Sequence, residues 1–240
     1  MRPQSQGLLL TLVFSFAIAL SFAVAAVCVS HLREEPSFLP KETASEPSAT
    51  QTESDTRPEE TESESETEDT EAPGGLRYAS RGDGTCRLVS IGSCADACVV
   101  IPEFAPTGDR VTAIDARAFY GSSTVTAVQI PASVRQIGEL AFANCPNLLY
   151  ISVSPQNATY CDIDGVLYTA DERTLIQYPA KRAGEEVLIR GVTVEICDMA
   201  FYNCATLCRV TFAGSAEQWE TIRIGIKNYS LTAAAKRFEG

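Results

Sequence analysis

The sequence predicts an α/β, β-rich fold in which short coils stack into a solenoid. A motif of eight residues that begins Ala-Phe occurs three times, at Ala118, Ala141 and Ala200. Phe119 and Phe142 are 23 residues apart. An alternating apolar pattern, typical of a short strand with one buried face, follows each motif. Recurrence at such a period indicates a stacked architecture rather than a catalytic pocket.

Equivalent apolar positions recur around each Phe of the motif. Five residues before the Phe stand Ile114, Ile137 and Ile196. Six residues after it stand Val125, Leu148 and Leu207, nine after it Val128, Ile151 and Val210, and eleven after it Ile130, Val153 and Phe212. The final V-x-I pattern predicts the strand, and the preceding I-x-x-x-A-F pattern predicts a helical or irregular turn. The period of 23 residues lies in the range of leucine-rich repeats. No coil can bury its apolar side alone, so the coils are expected to share one continuous core.

The segments VTAIDARAF, VQIPASVRQIGELAFANCPNLLYISV and VEICDMAFYNCATLCRVTF resemble the BspA-like leucine-rich repeat family of bacterial surface proteins. Phe142 and Phe201 are separated by one period plus an insertion of 36 residues. That insertion resembles the hairpin that such proteins place between repeats, with its turn at residues 169–172. The segment FAGSAEQWETIRI resembles the closing segment of the family, in which Trp219 packs over the last coil.

Three regions are expected along the chain. Residues 1–30 form an N-terminal transmembrane anchor or signal peptide, residues 31–75 an acidic disordered linker, and residues 76–240 the repeat domain. The domain contains about three full coils, the inserted hairpin and terminal caps, with residues 86–114 as the N-terminal cap that protects the end of the core.

The apolar segment from Leu8 to Val29 contains 22 residues and no charge. As a helix it would span roughly 33 Å, enough for a bilayer core of about 30 Å. Residues 23–25 also resemble a signal-peptidase site, and Cys28 is a third alternative as a lipid-attachment residue. Because Arg2 precedes the segment, we expect the bulk of the protein on the extracellular face of the membrane, single-pass anchored, or secreted after cleavage.

The negative charge of the chain is concentrated in the linker. Between Glu34 and Glu71 there are 14 acidic residues against Lys41 and Arg57, and the rest of the chain is neutral. A segment so rich in Glu, Ser, Thr and Pro cannot bury enough apolar surface to fold. We therefore expect an extended stalk, with an acidic interaction motif as the alternative. Nucleic-acid binding is not expected, because no basic stripe is present.

Catalytic chemistry and cofactors are not expected. The single histidine, His31, lies beside the apolar segment, so the repeat domain lacks the histidine of a catalytic triad. Paired carboxylates remain open as catalytic groups, although the acidic residues are scattered. Asp162 to Gly165 partly matches a calcium loop, but a hairpin turn is the preferred interpretation.

The cysteines leave two alternatives open. Cys145 and Cys204 occupy the same repeat position, so they are either buried thiols or, in an oxidising compartment, a disulfide. Two residues depart from the repeat pattern. Ser122 stands where the other copies have Cys145 and Cys204, and Thr193 stands where the others have Val111 and Val134. These departures affect single positions only. Asn157 and Asn228 head N-x-S/T sequences, which matter only if the host glycosylates exported proteins.

The alternate residues of the predicted strands should face outward and lie side by side. They are Thr126, Ala127, Gln129, Leu149, Tyr150, Ser152, Cys208, Arg209 and Thr211. We predict Gln129, Tyr150, Ser152, Arg209 and Thr211 as binding residues, because solenoids bind along such faces and Tyr and Arg are enriched at hot spots. An ordinary solvated face is the alternative.

The resemblance implies a non-catalytic role in adhesion or protein–protein interaction at a bacterial cell surface, with a protein or glycan ligand. Two alternatives from other classes remain: a structural envelope component that binds the wall glycan of its own cell, and an exported enzyme. With only about three coils, we expect weak binding unless several copies act together.

Overall fold

A computed structural model describes residues 69–71 and 74–240, all within one compact unit, Glu62–Gly240. The strands are β1 (Asp69–Glu71), β2 (Arg77–Ser80), β3 (Thr85–Ser90), β4 (Cys98–Val100), β5 (Arg110–Ile114), β6 (Ala127–Ile130), β7 (Gln136–Ile137), β8 (Tyr150–Val153), β9 (Tyr160–Ile163), β10 (Val166–Thr169), β11 (Thr174–Gln177), β12 (Glu186–Ile189), β13 (Glu195–Ile196), β14 (Arg209–Phe212), β15 (Arg223–Ile224) and β16 (Ala235–Phe238). Two short helices, α1 (Ala216–Glu220) and α2 (Tyr229–Ala233), lie near the C-terminus.

The predicted N-terminal apolar segment and most of the predicted linker lie outside the described residues. Across residues 69–71 and 74–240, no helix has the length and apolar character needed to cross a membrane. At its C-terminal end the linker prediction differs from the structure, because β1 pairs antiparallel with β2. Gly74 and Gly75 have φ values of 104° and 85°, which glycine adopts readily, and they let the chain reverse between the two strands.

The strands form a solenoid of about six coils. Each coil contributes one strand to each of two parallel columns, as the pairs β3/β4, β5/β6, β7/β8, β11/β12, β13/β14 and β15/β16. The first column consists of β3-β5-β7 and β11-β13-β15, and the second of β4-β6-β8 and β12-β14-β16. The solenoid prediction is confirmed, with its V-x-I patterns forming β6, β8 and β14 of the second column.

The predicted number of three coils is too low, since the insertion contains a further coil. Tyr178 lies 36 residues after Phe142 and 23 before Phe201, so it occupies the position of the motif Phe. In β12, Val187 pairs with Val210 of β14, which places it in the same column. This coil lacks the Ala-Phe motif, so its period was not recognised from the sequence. The other two coils, at the ends, have the irregular sequences that were assigned to caps.

The insertion also begins with the predicted hairpin. Strands β10 and β11 pair antiparallel around the predicted turn at residues 169–172, and β9 adds a third antiparallel strand. Between β9 and β10, Asp164 and Gly165 have φ values of 52° and 81°, as a tight two-residue turn requires. The segment that partly matched a calcium loop is therefore a hairpin turn.

The motif encodes a turn with two left-handed residues. Two residues before the motif Phe, Arg117, Leu140 and Met199 have φ values of 60°, 57° and 54°. Two residues after it stand Gly121, Asn144 and Asn203, also at positive φ and of the types that tolerate this conformation best. The turn is thus irregular rather than helical, one of the two forms that the pattern predicted.

The turns stack through hydrogen bonds and aromatic rings. The N–H of Phe119 donates to the carbonyl of Ala141 in the next coil at 2.8 Å. The rings of Phe119 and Phe142 stack with centroids 5.2 Å apart, and those of Tyr178 and Phe201 with centroids 4.9 Å apart. These pairs belong to two separate hydrophobic clusters that meet at the hairpin. The prediction of one continuous core is therefore wrong.

Trp219 of α1 closes the C-terminal cluster. Its side chain is buried and meets Phe212 edge-on, with ring centroids 5.5 Å apart. Ser215 caps α1 through a capping box with Gln218, which holds the helix that carries the indole. The predicted packing of Trp219 over the last coils is therefore confirmed.

Arg117 allows the left-handed position to be tested, because its side chain is exposed. Replacement by Gly should leave the protein more stable than replacement by Ala, by about 1 kcal/mol, because only residues with a Cβ are strained at this φ. Both variants lose the guanidinium that lies over Tyr120. Denaturant unfolding of the two variants measures the difference. An Ala variant as stable as the Gly variant would contradict the assignment of strain to this position.

Candidate binding surfaces

The five predicted binding residues lie on two different sheets. Gln129 of β6 pairs with Ser152 of β8, and Tyr150 lies next to Ala127 in the same sheet. Arg209 and Thr211 belong to β14, in the sheet with β12 and β16. The expectation that all five form one continuous face is wrong, because the β9–β10 hairpin and the unrecognised fourth coil separate β8 from β14.

The hairpin contacts β8 directly. The N–H of Ile151 donates to the carbonyl of Gly165 at 2.9 Å. A Cβ added to Gly165 would lie 2.8 Å from the Cβ of Tyr150, so only glycine permits this approach. Tyr150 is consequently half-buried and borders the hairpin rather than the next coil.

The first surface, named the neutral face, is the outer side of β4, β6 and β8. It is built from Val100, Gln129, Tyr150 and Ser152, with Val100 57% exposed. The predicted outward residue Ala127 is buried, because its short side chain lies between Cys98 and Tyr150 on the adjacent strands. This face can offer apolar contact and uncharged hydrogen-bonding groups to a ligand.

The second surface, named the charged face, is the outer side of β12, β14 and β16. Glu186 lies between two binding candidates: its carboxylate accepts a hydrogen bond from the Thr211 hydroxyl and pairs with Arg209 at 3.3 Å. The Thr211 hydrogen bond, followed by the charges of Arg209 and Arg237, lowers the pKa of Glu186. Thr211 is only 5% exposed, so the prediction that it faces solvent is wrong, since its hydroxyl is engaged by Glu186.

Three residues of the charged face were not predicted. Leu188 lies next to Thr211 and is 47% exposed, and Arg237 flanks Thr211 on the other side. Glu186 lies beside Arg209. The V-x-I pattern at Val187 to Ile189 was the signal that could have revealed β12, because it repeats the pattern of the recognised coils.

The cysteines of the described part of the chain are free thiols. Burial raises the pKa of Cys145 to about 11 and that of Cys204 to about 12, so both are neutral at physiological pH. The thiol of Cys145 donates to the carbonyl of Phe119 at 3.0 Å. Of the two alternatives from the sequence, the structure contains the buried thiols.

No group of three His, Cys, Asp or Glu side chains within residues 69–71 and 74–240 could hold a metal ion. At the calcium-like turn, Asp162 instead accepts a hydrogen bond from the N–H of Val153 at 2.7 Å. Its carboxylate therefore fastens β9 to the end of β8.

A family model described as "BspA type Leucine rich repeat region (6 copies)" matches residues 97–164. These residues include β4 to β8, the recognised motif copies at Ala118 and Ala141, and the first strand of the hairpin. Residues 97–164 are therefore similar to a BspA-type leucine-rich repeat region. The resemblance drawn from the sequence is confirmed.

Several solved structures are also similar to this chain. A leucine-rich cell surface protein from Faecalibacterium prausnitzii A2-165 is 27% identical, with 63% of this chain and 41% of that chain covered and a TM-score of 0.45. The pneumococcal vaccine antigen PcpA is 24% identical, with 45% and 27% covered and a TM-score of 0.43. The leucine-rich repeat protein of T. pallidum is 22% identical, with 59% and 71% covered and a TM-score of 0.40.

The chain spans less than half the length of the first two of these structures, 41% and 27%. No curated protein matches the chain.

Both N-x-S/T asparagines brace the solenoid. Asn157, in the BspA-type region, donates to the carbonyls of Pro131 and Val134 at 2.8 and 3.0 Å. Its amide oxygen accepts from the N–H groups of Thr159 and Tyr160. Asn228 is buried and donates to the carbonyls of Cys197 and Gly225 in the same manner. Neither amide nitrogen is accessible for glycosylation in the folded domain.

Replacing Asn157 by Asp should cost about 3 kcal/mol or more at pH 7, because a buried carboxylate would face two carbonyl oxygens that have lost their donors. Those oxygens raise the pKa of the introduced carboxyl above its unfolded value of about 3.9. The variant should therefore be most stable below that value and lose stability as the pH rises through the folded pKa.

Urea unfolding of the Asn157→Asp variant between pH 3 and pH 8 tests this prediction, relative to the unmodified protein at each pH. Gln156→Glu, at the exposed neighbouring residue, is the matched control and should change stability by less than about 0.5 kcal/mol. Equal effects at the two positions would contradict the bracing role of Asn157.

Proposed function

We propose that this protein is a non-catalytic cell-surface protein that binds a protein or glycan ligand through its BspA-type solenoid. The observation that carries the proposal is the pair of outward strand faces with different chemistry. The neutral face offers Tyr150 and Gln129, and the charged face offers Arg209, Arg237 and the exposed Leu188. Parallel strand columns of a solenoid present such rows of side chains on a rigid support.

The proposal extends to the whole chain. Residues 1–30 would anchor the protein in the membrane, or direct its secretion, and residues 31–75 would hold the repeat domain away from the surface through charge repulsion. The Faecalibacterium prausnitzii relative is described as a cell surface protein, in agreement with this location. The role in adhesion rests on the family resemblance.

Each face is small, because it spans only three adjacent strands. We therefore expect weak binding by a single copy and stronger capture when many copies share one surface. A monomeric protein that binds its ligand tightly would contradict this part of the proposal.

Capture by the full chain, immobilised on beads, tests the proposal. The beads are offered purified cell wall, matrix proteins and whole host cells. One variant carries Tyr150→Ala with Gln129→Ala on the neutral face, and a second carries Arg209→Ala with Arg237→Ala on the charged face. We expect one of these variants to reduce capture of a protein or cell ligand more than about fivefold, as loss of a hot spot does.

The controls are matched in residue type. Tyr229→Ala removes a tyrosine that is 68% exposed on α2, and Arg81→Ala removes an exposed arginine before β3. Both should leave capture unchanged. Capture by cell wall alone, equal in all variants, would overturn the proposal in favour of a structural envelope component.

A further inference from the structure

The fourth coil is shorter than its neighbours at the turn. Tyr178 follows Leu175 of β11 by three positions, whereas Phe201 in the next coil follows the equivalent Ile196 by five. The two missing residues belong to the turn that carries the left-handed residue in the neighbouring coils. A gap therefore remains between the turns of the third and fifth coils.

This gap is a cavity of about 450 Å³, a volume typical of ligand sites. We name it the groove. One wall is the turn of the third coil, with Glu139, Leu140 and Phe142, and the other is the turn of the fifth coil, with Cys197 and Asp198. Ile176 of the shortened coil also lines the groove and is half-buried.

Two backbone donors of the groove, whose equivalents are paired in other coils, have no acceptor among the residues that the structure describes. The N–H of Arg117 donates to the carbonyl of Glu139 at 3.0 Å, and that of Met199 to the carbonyl of Ile226 at 2.9 Å. Within the described part of the chain, no group accepts from the equivalent N–H of Leu140.

The backbone N–H of the motif aromatic residue is also paired in the other coils and unpaired in the groove, among the described residues. The N–H of Phe119 donates to Ala141, that of Tyr178 donates to Ala200 at 2.9 Å, and that of Phe201 donates to the amide oxygen of Asn228 at 2.8 Å. The N–H of Phe142 has no acceptor among the described residues, although Phe142 is only 2% exposed.

The neighbouring turns pair the equivalent donors with an adjacent coil, so the N–H groups of Leu140 and Phe142 leave two backbone donors in the groove that a bound ligand can use. The hairpin supplies an acceptor only at the edge of the groove, where the Tyr160 hydroxyl accepts from the N–H of Ile137 at 2.9 Å. The two turn donors stand two residues apart, the spacing at which an extended backbone presents successive groups to a neighbouring chain.

The charges of the groove select the kind of partner. Glu139, Glu195 and Asp198 line it together with a single cation, Arg223, which pairs with Glu195. All four charged groups act on the half-buried thiol of Cys197, whose pKa is raised to about 11 by burial first and then by Glu195 and Asp198. The groove is therefore negative, with Ile176 and Leu140 as apolar surface.

We propose that the groove binds an extended segment of a partner protein that carries Lys or Arg side chains alternating with apolar ones. The carbonyls of the segment accept hydrogen bonds from Leu140 and Phe142 and so replace the missing turn of the fourth coil. Its cationic side chains lie against Glu139, Glu195 and Asp198, and an apolar side chain packs on Ile176. This site is distinct from the neutral and charged faces, so it goes beyond the proposed function.

Binding of the peptide Ac-KVKVKVK-NH2 to the full chain tests the proposal, with Ac-EVEVEVE-NH2 as the matched control. Fluorescence anisotropy should show binding of the cationic peptide alone. Glu139→Gln should weaken it roughly two- to fivefold, and Arg223→Gln should strengthen it by a similar factor, because each change alters one surface charge.

Residue-resolved hydrogen exchange separates the groove from nonspecific attraction. The peptide should slow exchange of the Leu140 and Phe142 amides and leave the paired Phe119 amide unchanged. Equal binding of both peptides, or binding that leaves the Leu140 and Phe142 amides unprotected, would overturn the proposal. If the face variants lose capture of the ligand but still bind the cationic peptide, the faces and the groove are separate sites, and the groove proposal is supported.

Discussion

Stacking of aromatic rings in the four central coils is the constraint on which the rest of the structure depends. Each motif places its ring inside a tight turn, where Phe119 lies on Phe142 and Tyr178 on Phe201. The ring fixes the position of the turn, and the turn directs the chain into the second strand column. Because both strand columns follow from these turns, coil period, strand register and outward faces are set together.

The constraint is interrupted once, between Phe142 and Tyr178. The two aromatic pairs belong to separate hydrophobic clusters, and strands β9 and β10, from Tyr160 to Thr169, enter between the third and fourth coils. One insertion thereby has two consequences on opposite columns. It divides the outward strands into the neutral and charged faces, and it leaves the groove where the fourth coil lacks part of its turn.

Much of the fold could be predicted because the motif repeats both chemistry and spacing. Phe119, Phe142 and Phe201 identified three coils, and the alternating pattern after each gave the correct strand and its buried side. The fourth coil was missed because Tyr178 replaces Phe and the turn before it is shortened, so neither motif nor local spacing survives. The two end coils lack the Ala-Phe motif and are recognised only from the pairing of their strands with the neighbouring coils. A single sequence does not reveal such pairing.

The binding surfaces were less predictable than the core, since they depend on which coils are adjacent. Gln129, Tyr150 and Ser152 were correctly grouped on one sheet, but Arg209 and Thr211 lie beyond the hairpin. Burial of Thr211 depends on Glu186, from a strand that was not recognised. The groove could not be predicted, because it arises from two absent residues rather than from a motif.

The most direct measurement of this account is a double-mutant cycle between Tyr178 and Phe201, with both residues replaced by Leu singly and together. If Tyr178 occupies the aromatic position of a fourth coil, the two changes should couple by about 0.5–1.5 kcal/mol in free energy of unfolding. The pair Phe119 and Phe142 should give the same value. Additive effects at Tyr178 and Phe201, with coupling retained at Phe119 and Phe142, would contradict the fourth coil.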